Sequence, residues 1–253
     1  MKITFLGTGT SQGVPVISCK CNVCTSEDPR DKRLRVSILV ETKTETFTID
    51  CGPDFRYQML RANVQDLDAI VFTHEHKDHV AGLDDIRPFN YLMNKHIDIY
   101  AVPRVQAALH REFAYIFADS GYFGLPKVKL HNIDSEPFYI GHTQLIPIEV
   151  MHHLMPVLGY RIGDFTYITD AKTISESSIE RIKGTKILVV NALQRREHLS
   201  HFTLAEAVEF AEKIGAEKTY FTHLSHHMGL HKDVSEELPD GLFVAYDGME
   251  III

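Results

Sequence analysis

Short apolar runs alternate along the chain with segments whose apolar residues recur at helical spacing. The short runs predict strands, because many are rich in β-branched and aromatic residues. Helices are predicted at 54–63, 81–93, 103–113, 175–183 and 203–214, with Pro88 interrupting the second and a Thr203–Glu206 capping-box pair opening the last. The strands are predicted at 2–6, 36–41, 46–50, 67–72, 97–102, 128–133, 143–150, 159–162, 165–169, 186–191, 218–222, 242–245 and 249–252.

Ligand-type side chains stand where several of these strands end. A strand end fixed in a sheet holds a side chain firmly while leaving it open to solvent. Any one such residue is more often a satisfied polar group, but together they indicate a shared site. The residues are Asp50, His152 with its neighbour His153, Asp170 and His223.

The stretch from His74 to His79 packs three imidazoles and an aspartate into six residues, directly after the apolar run 67–72. Near neutral pH imidazole is largely uncharged and binds Zn²⁺, Mn²⁺ or Fe²⁺ through a ring nitrogen, and a carboxylate adds an anionic oxygen. His74 and His76 could bind one ion, and Asp78 with His79 a second. The alternative is a polar turn with coincidental histidines. We predict a pair of divalent cations at this loop.

Composition is that of a soluble globular protein. The chain has 253 residues, 44% hydrophobic and 24% charged, so a single domain over 1–253 is predicted. A net charge of −8 disfavours broad nucleic-acid binding. The N-terminus resembles a strand rather than a signal peptide, and no apolar run is long enough to span a membrane, so a cytoplasmic protein without a membrane partner is predicted. Aromatic residues at 113–126 could cap a cleft or join a homodimer contact, although such residues more often pack.

Three of the four cysteines, Cys19, Cys21 and Cys24, lie within six residues. Without an export signal, this clustering favours metal binding over disulfides and indicates a reducing compartment. Three thiolates are one short of the closed tetrahedral set of a structural zinc, and His226 is the best fourth ligand. Reduced cysteines without a metal are the alternative. The insertion near 19–24 is therefore predicted to bind one structural zinc ion.

The order of these residues resembles the metallo-β-lactamase superfamily, whose signature is a His-x-His-x-Asp-His loop followed by single His, Asp and His ligands. The resemblance runs nearly end to end and implies an α/β protein, an αββα four-layer sandwich with a binuclear metal site between its halves. Either His152 or His153 would serve as a ligand, and the tail 155–160 favours His152. The resemblance assigns His74, His76 and His152 to one ion, Asp78, His79 and His223 to the other, Asp170 to a bridge, and Asp50 to support of the loop.

Within that superfamily, the cysteine insertion and the segment 222–226 resemble the phosphoribosyl 1,2-cyclic phosphodiesterase group. The resemblance implies a metal-dependent phosphodiesterase that hydrolyses a small phosphodiester, a cyclic phosphoribosyl ester being one candidate, through a hydroxide bound to two Mn²⁺ or Zn²⁺ ions. Aspartate at position 170, where some members carry cysteine, favours hydrolysis over redox chemistry. Asp78 and His201 are the candidate catalytic residues. His201 would be a general acid or a donor to the phosphate, with a structural role as the alternative.

Two other functions remain as alternatives. A tRNA 3′-processing endonuclease shares the histidine loop and the opening Phe5-Leu6-Gly7-Thr8-Gly9, but the acidic charge opposes it. A non-catalytic metal-binding protein of the same fold has no need of seven positioned ligands.

Overall fold

Two β-sheets form the centre of the molecule, a computed structural model that describes residues 1–118, 121 and 124–253. The first sheet contains β1 (Lys2–Gly7), β2 (Ser37–Glu41), β3 (Thr46–Ile49), β4 (Ala69–Val71), β5 (Ile97–Ala101), β6 (Val128–Asn132) and β15 (Glu250–Ile252). Their order across the sheet is β15-β1-β2-β3-β4-β5-β6. Pairing is antiparallel from β15 to β3 and parallel from β3 to β6.

The second sheet repeats this antiparallel-then-parallel pattern. It contains β7 (Phe138–Ile140), β8 (Thr143–His152), β9 (Met155–Ile162), β10 (Phe165–Ile168), β11 (Thr173–Ile174), β12 (Ile187–Asn191), β13 (Lys218–Thr222) and β14 (Leu242–Val244). The order is β11-β8-β9-β10-β12-β13-β14, and β7 pairs with β8. The neighbouring strands β10, β12, β13 and β14 are parallel, so their carboxyl ends meet at one edge of the sheet.

Helices cover the outer faces of both sheets and also occur in the connecting loops. In the described part of the chain they are α1 (Asn22–Thr25), α2 (Phe55–Arg61), α3 (Lys77–Val80), α4 (Arg87–Met93), α5 (Pro103–Glu112), α6 (Ala114–Phe117), α7 (Glu176–Ile182), α8 (Leu204–Ile214) and α9 (His231–Glu237), with 3₁₀ turns at Pro29–Asp31 and Leu83–Ile86. Each of these helices is too short or too polar to cross a lipid bilayer.

Three apolar clusters hold the layers together. Because side chains alternate along a strand, Phe5 points into the cluster between the two sheets while Leu6 joins Phe55 of α2 outside the first sheet. Outside the second sheet, Val190 packs in one cluster with Phe210 of α8. Helices outside and sheets inside give four layers, so the predicted αββα sandwich is confirmed.

Most of the predicted elements are present, with small shifts in their ends. A 3₁₀ turn precedes α4, and Pro88 lies in the first turn of α4, where a missing N–H costs no hydrogen bond. The capping box is formed, since the Thr203 and Glu206 side chains each accept the other's backbone N–H. The short elements β7, β11 and α9 were not predicted, because a few residues carry too little periodicity.

The aromatic stretch at 113–126 is described only in part. Phe113 is buried in the cluster outside the first sheet, as predicted for packing. Tyr115 is exposed and donates a hydrogen bond to Asp84. Tyr122 and Phe123 lie outside the described residues.

Glu45, in the turn between β2 and β3, ties the two sheets together. Its carboxylate accepts hydrogen bonds from the His142 amide at 2.8 Å and from the Thr143 and Thr42 hydroxyls at 2.8 and 2.7 Å. Burial alone would raise the pKa of Glu45, but these donors outweigh burial and hold it at about 2, against an ordinary 4.5.

Replacing Glu45 with Gln should lower the free energy of unfolding at pH 7 by about 1–3 kcal/mol, because buried donors lose a charged acceptor. Since the folded pKa is depressed, the stabilisation is complete above the unfolded pKa near 4.5 and disappears as the pH falls toward 2. Urea unfolding at pH 7 and pH 4 measures this. The exposed Glu180→Gln should change little, and an equal loss for both variants would contradict the role of Glu45.

Candidate metal centre

The parallel strands bring their ligand-type residues to the rim between the two sheets. Asp50 follows β3, Asp170 comes two residues after β10, and His223 follows β13. All three have left-handed backbone conformations, with φ of 67°, 59° and 58°. Such a conformation strains a residue with a side chain by about 1–3 kcal/mol and is concentrated at functional sites. The strand ends therefore turn sharply at the residues predicted to form the site.

The histidine loop is folded into a compact turn. His76 is the N-cap of the short helix α3, which places Asp78 and His79 in its single turn. The His74 ring lies 4.0 Å from the His79 ring and 4.7 Å from the His76 ring, between ring centroids. His74 and His79 are fully buried, whereas His76 is exposed toward the cleft.

Asp170 lies at the centre of the imidazoles. Its Oδ1 is 3.3 Å from His223 Nε2 and 3.5 Å from His79 Nε2, and its Oδ2 is 3.7 Å from His74 Nε2. Asp78 Oδ2 lies 3.4 Å from His79 Nε2. Two ligand groups result, each with its ligand atoms within 4.8 Å of one another: His74, His76 and Asp170, and Asp78, His79 and His223.

The donor atoms of these residues fit divalent metal ions. The Nε2 atoms of His74, His79 and His223 are buried without a hydrogen-bond partner, which costs each about 1–3 kcal/mol. The other ring nitrogen, Nδ1, has a hydrogen-bond partner in two of these histidines. His79 Nδ1 lies 2.7 Å from the Asp50 carboxylate, and His74 Nδ1 lies 3.0 Å from the Thr73 hydroxyl. Orientation by a carboxylate or a hydroxyl behind the ring is typical of metal-binding histidines.

Electrostatics at the site favours ionised carboxylates. Burial would raise the pKa of Asp170 and of Asp78, but nearby histidines outweigh burial and lower both pKa values well below the usual range. Burial lowers the pKa of His74, whereas the surrounding carboxylates overcome burial and raise the pKa of His79. The cluster is a set of anionic oxygens interleaved with imidazoles, which is the donor chemistry that Zn²⁺ and Mn²⁺ accept.

His152, and not His153, faces the cluster. The His152 ring lies 5.2 Å from the His76 ring, and its Nδ1 is within hydrogen-bond distance of the backbone oxygens of Asp170 and Ser200, at 3.0 and 2.9 Å. His152 also belongs to a ligand-type group with Asp170 and His201. His153 is exposed at the tip of the β8–β9 hairpin.

His201 lies over the same cluster. Its ring is 4.5 Å from the His152 ring and 4.8 Å from the His223 ring, and its Nδ1 is 3.9 Å from Asp170 Oδ2. That nitrogen is buried without a hydrogen-bond partner. Burial, together with the neighbouring histidines, lowers the pKa of His201 to about 3. His201 can therefore reach a group bound at Asp170.

The cysteines of the insertion meet His226. The Sγ atoms of Cys19, Cys21 and Cys24 lie 3.3, 3.4 and 3.5 Å from His226 Nδ1. The N–H of Cys24 lowers the pKa of Cys21 to about 6, and burial raises that of Cys24 to about 11. The fourth cysteine, Cys51, is buried away from this cluster in the core outside the first sheet. The four side chains could hold one zinc ion.

Sequence reasoning missed Thr73. Its N–H and hydroxyl bind the Asp50 carboxylate at 2.9 Å each, so it connects Asp50 to the histidine loop. A threonine between a strand and a histidine loop carries no distinctive pattern. The backbone oxygen of Ser200 was also missed, because a main-chain acceptor leaves no signal in the sequence.

Comparison with known proteins agrees with this architecture. Residues 45–224 match the family model described as a beta-lactamase superfamily domain. A crystal structure of a new diphosphatase from the PhnP family superposes with a TM-score of 0.93 and 40% identity, over 99% of this chain and 96% of that one. An octanoyltransferase of Porphyromonas gingivalis is 41% identical over 100% of this chain, which covers 52% of that protein. Ribonuclease Z of Crocosphaera subtropica is 29% identical over 65% of this chain and 48% of its own length. The chain thus spans about half the length of the curated relatives it matches.

The family model and the superposition identify the class of protein: the chain belongs to the metallo-β-lactamase superfamily. Within that class it resembles the PhnP family, through its 40% identity to the diphosphatase described above. The likeness to ribonuclease Z is more distant.

Proposed function

We propose that the protein hydrolyses a small phosphodiester at a centre of two divalent ions. The observation that carries the proposal is the position of Asp170, whose two oxygens face the imidazoles of both ligand groups. The proposed ligands of one ion are His74, His76 and His152, those of the other are Asp78, His79 and His223, with Asp170 shared. Zn²⁺ and Mn²⁺ are the proposed ions. When bound, such a pair supplies an activated water and charge neutralisation for a phosphoryl oxygen.

The chain's own residues hold and orient the reacting groups. Asp50 fixes His79 through the 2.7 Å contact to Nδ1, so the opposite nitrogen keeps its direction. Asp78 is ionised, because the neighbouring histidines lower its pKa, and its Oδ2 lies 3.4 Å from His79 Nε2 and 3.7 Å from His223 Nε2, where it can hold a water or a cation. His201 is placed to donate a hydrogen bond from its neutral ring to the phosphate, or a proton to the departing oxygen once the negative charge of the bound phosphate has raised its pKa from about 3. Asp50 follows β3, Asp78 lies in α3 and His201 is buried in the loop after β12, so each side chain is held by packed structure and little reorganisation accompanies the reaction.

A small substrate is proposed rather than a tRNA. The net charge of −8 opposes a polyanion, whose binding requires neutralisation by many basic side chains. Diphosphate hydrolysis is a second candidate, because the 40%-identical relative of known structure is described as a diphosphatase. Both reactions break a bond to phosphorus and place negative charge on its oxygens.

Metal analysis and a substrate panel test the proposal. The purified protein, loaded with Mn²⁺ or Zn²⁺, is expected to contain two catalytic ions and one structural zinc per chain. It should hydrolyse bis(p-nitrophenyl) phosphate and either 2′,3′-cyclic nucleotides or phosphoribosyl 1,2-cyclic phosphate. Turnover of ADP alone would favour the diphosphatase, and cleavage of pre-tRNA alone would favour the endonuclease. Bound metal without any turnover would leave a metal-binding protein of this fold. Sedimentation tests whether the chain forms a homodimer, and cell fractionation tests the predicted cytoplasmic location.

Replacing His201 with Gln should lower kcat by about 10²–10⁴-fold on substrates with alkoxide leaving groups. If His201 protonates the departing oxygen, the loss on p-nitrophenyl esters should be much smaller, because p-nitrophenolate leaves without a proton. If it instead donates a hydrogen bond to the phosphate, the loss should be the same for both kinds of ester. The measurement is kcat across a leaving-group series, with metal content as the control. An unchanged kcat for every ester would make His201 structural.

A further inference from the structure

A cavity of about 500 Å³ opens beside the metal centre and is lined by both polar and apolar side chains. His76 and His152 are among its polar lining residues, and Leu154 and Leu199 are among its apolar ones. Leu154 is 79% exposed and Leu199 is 70% exposed. Single exposed leucines are ordinary on protein surfaces, but two that line one cavity next to the ligand cluster offer apolar surface to whatever binds there.

Leu154 gains no burial in the folded chain. His152 pairs with Met155, so His153 and Leu154 form the two-residue turn of the β8–β9 hairpin, and His153 has the left-handed conformation of this turn, with a φ of 58°. Leu154 is the second residue of the turn, where its exposed side chain lines the cavity and contributes nothing to the core. The side chain is therefore available to a ligand.

The two leucines are held at a fixed separation. Leu199 lies in the loop after β12, whose ends are joined by the bridge between Gln194 and Thr203. The backbone oxygen of the adjacent Ser200 lies 2.9 Å from His152 Nδ1, so this loop is fastened to the β8–β9 hairpin. A surface fixed before the ligand arrives loses little conformational entropy on binding.

The state of the positive charge on Arg104 indicates whether the cavity binds a charged or an uncharged group of the ligand. Arg104 also lines the cavity, but Arg104 is paired with Glu75 at 3.2 Å and donates to the Pro156 carbonyl at 2.6 Å. Its charge is already neutralised, so a second anionic group of the ligand gains little there. Resting on the phosphoester function proposed above, we infer that Leu154 and Leu199 form an apolar lip that binds an uncharged aromatic-sized substituent of the phosphoester.

Calorimetric titration with phenylphosphonate and methylphosphonate tests the lip without requiring turnover. Both probes carry the same anionic head, and only the phenyl ring is large enough to cover the leucines. The wild-type protein should bind phenylphosphonate about tenfold more tightly than methylphosphonate. In the double variant Leu154→Ala/Leu199→Ala this ratio should fall to about one or two, while the affinity for methylphosphonate stays the same.

The matched control is Leu60→Ala/Leu92→Ala, which shortens two leucines that are 62% and 82% exposed and lie far from the metal ligands on α2 and α4. The control should keep the wild-type ratio. The lip is overturned if the wild type shows no preference for phenylphosphonate, or if the lip variant keeps the wild-type preference. In either case, phosphodiester turnover by the wild type would still support the proposed function. Absence of both phosphonate binding and turnover would overturn the two proposals together.

Discussion

Replacing Asp170 with Asn should lower kcat/KM by about 10³-fold or more and reduce the metal content of the purified protein. The two Asp170 oxygens lie 3.3–3.9 Å from nitrogens of four histidines, including His201. Asparagine has the same shape but only one acceptor, and its NH₂ group would point donors where a cation is expected. The substitution also removes the negative charge of the carboxylate that faces both ligand groups.

Asp164→Asn is the matched control for this prediction. Asp164 stands at the other end of the same strand β10, where it forms an exposed ion pair with Lys186 at 2.7 Å. Its replacement should leave metal content and kcat/KM within about twofold. Metal analysis, steady-state kinetics and far-ultraviolet circular dichroism distinguish loss of the centre from loss of the fold. Two retained catalytic ions with near wild-type turnover in Asp170→Asn would show that Asp170 does not bridge.

The sequence predicts those features of the site that depend on neighbouring residues, and not those that depend on contacts between distant parts of the chain. An apolar run that ends in a ligand-type residue is a local signal, and it located Asp50, Asp170 and His223 in the chain. That these residues meet depends on two sheets packing face to face through residues such as Phe5 and Tyr167, which are far apart in sequence. The repeated pattern indicates that these residues share a site, but only the resemblance to a family predicts which of them hold the same ion.

Details of backbone geometry lay beyond the sequence. The left-handed conformations of Asp50, Asp170 and His223 put non-glycine residues where local preference disfavours them. The packing of the two sheets stabilises these left-handed conformations, whereas the preferences of the single residues disfavour them. Sequence patterns therefore do not predict them. The tail 155–160 favours His152 over His153 already at the level of sequence, and the hairpin turn gives the physical reason, because it directs the His152 ring inward and the His153 ring to solvent. The metal roles of these residues and the single-domain organisation stay predictions.

The two halves of the fold explain why the ligands accumulate at one rim. Each sheet has antiparallel strands on one side and parallel strands on the other. The parallel strands are β3, β4, β5 and β6 in the first sheet and β10, β12, β13 and β14 in the second. Parallel strands deliver their carboxyl ends to one edge, where chain reversals carry functional residues. With the sheets packed against each other, the two edges supply ligands from opposite sides of one cleft.

Replacing Cys21 with Ser should remove one zinc ion per chain and lower the free energy of unfolding by about 3 kcal/mol, equivalent to a fall in Tm of roughly 6–12 °C. The insertion has only a small apolar cluster of Val14, Val23 and Cys24 to hold it, so the proposed metal tie supplies much of its order. Turnover should fall by less than about threefold, because His223 is positioned by β13 and not by the insertion.

Cys51→Ser is the matched control, because it removes a thiol that is not a proposed zinc ligand. Cys51 is fully buried outside the zinc cluster, so this variant should lose stability through the buried hydroxyl but keep all of its zinc. Differential scanning fluorimetry and zinc analysis on both variants provide the comparison. The structural-zinc assignment is wrong if Cys21→Ser retains its full zinc content. A collapse of turnover in Cys21→Ser, with the catalytic ions still bound, would instead mean that the insertion takes part in binding the substrate, because the 19–24 segment touches the loop that follows His223 through His226.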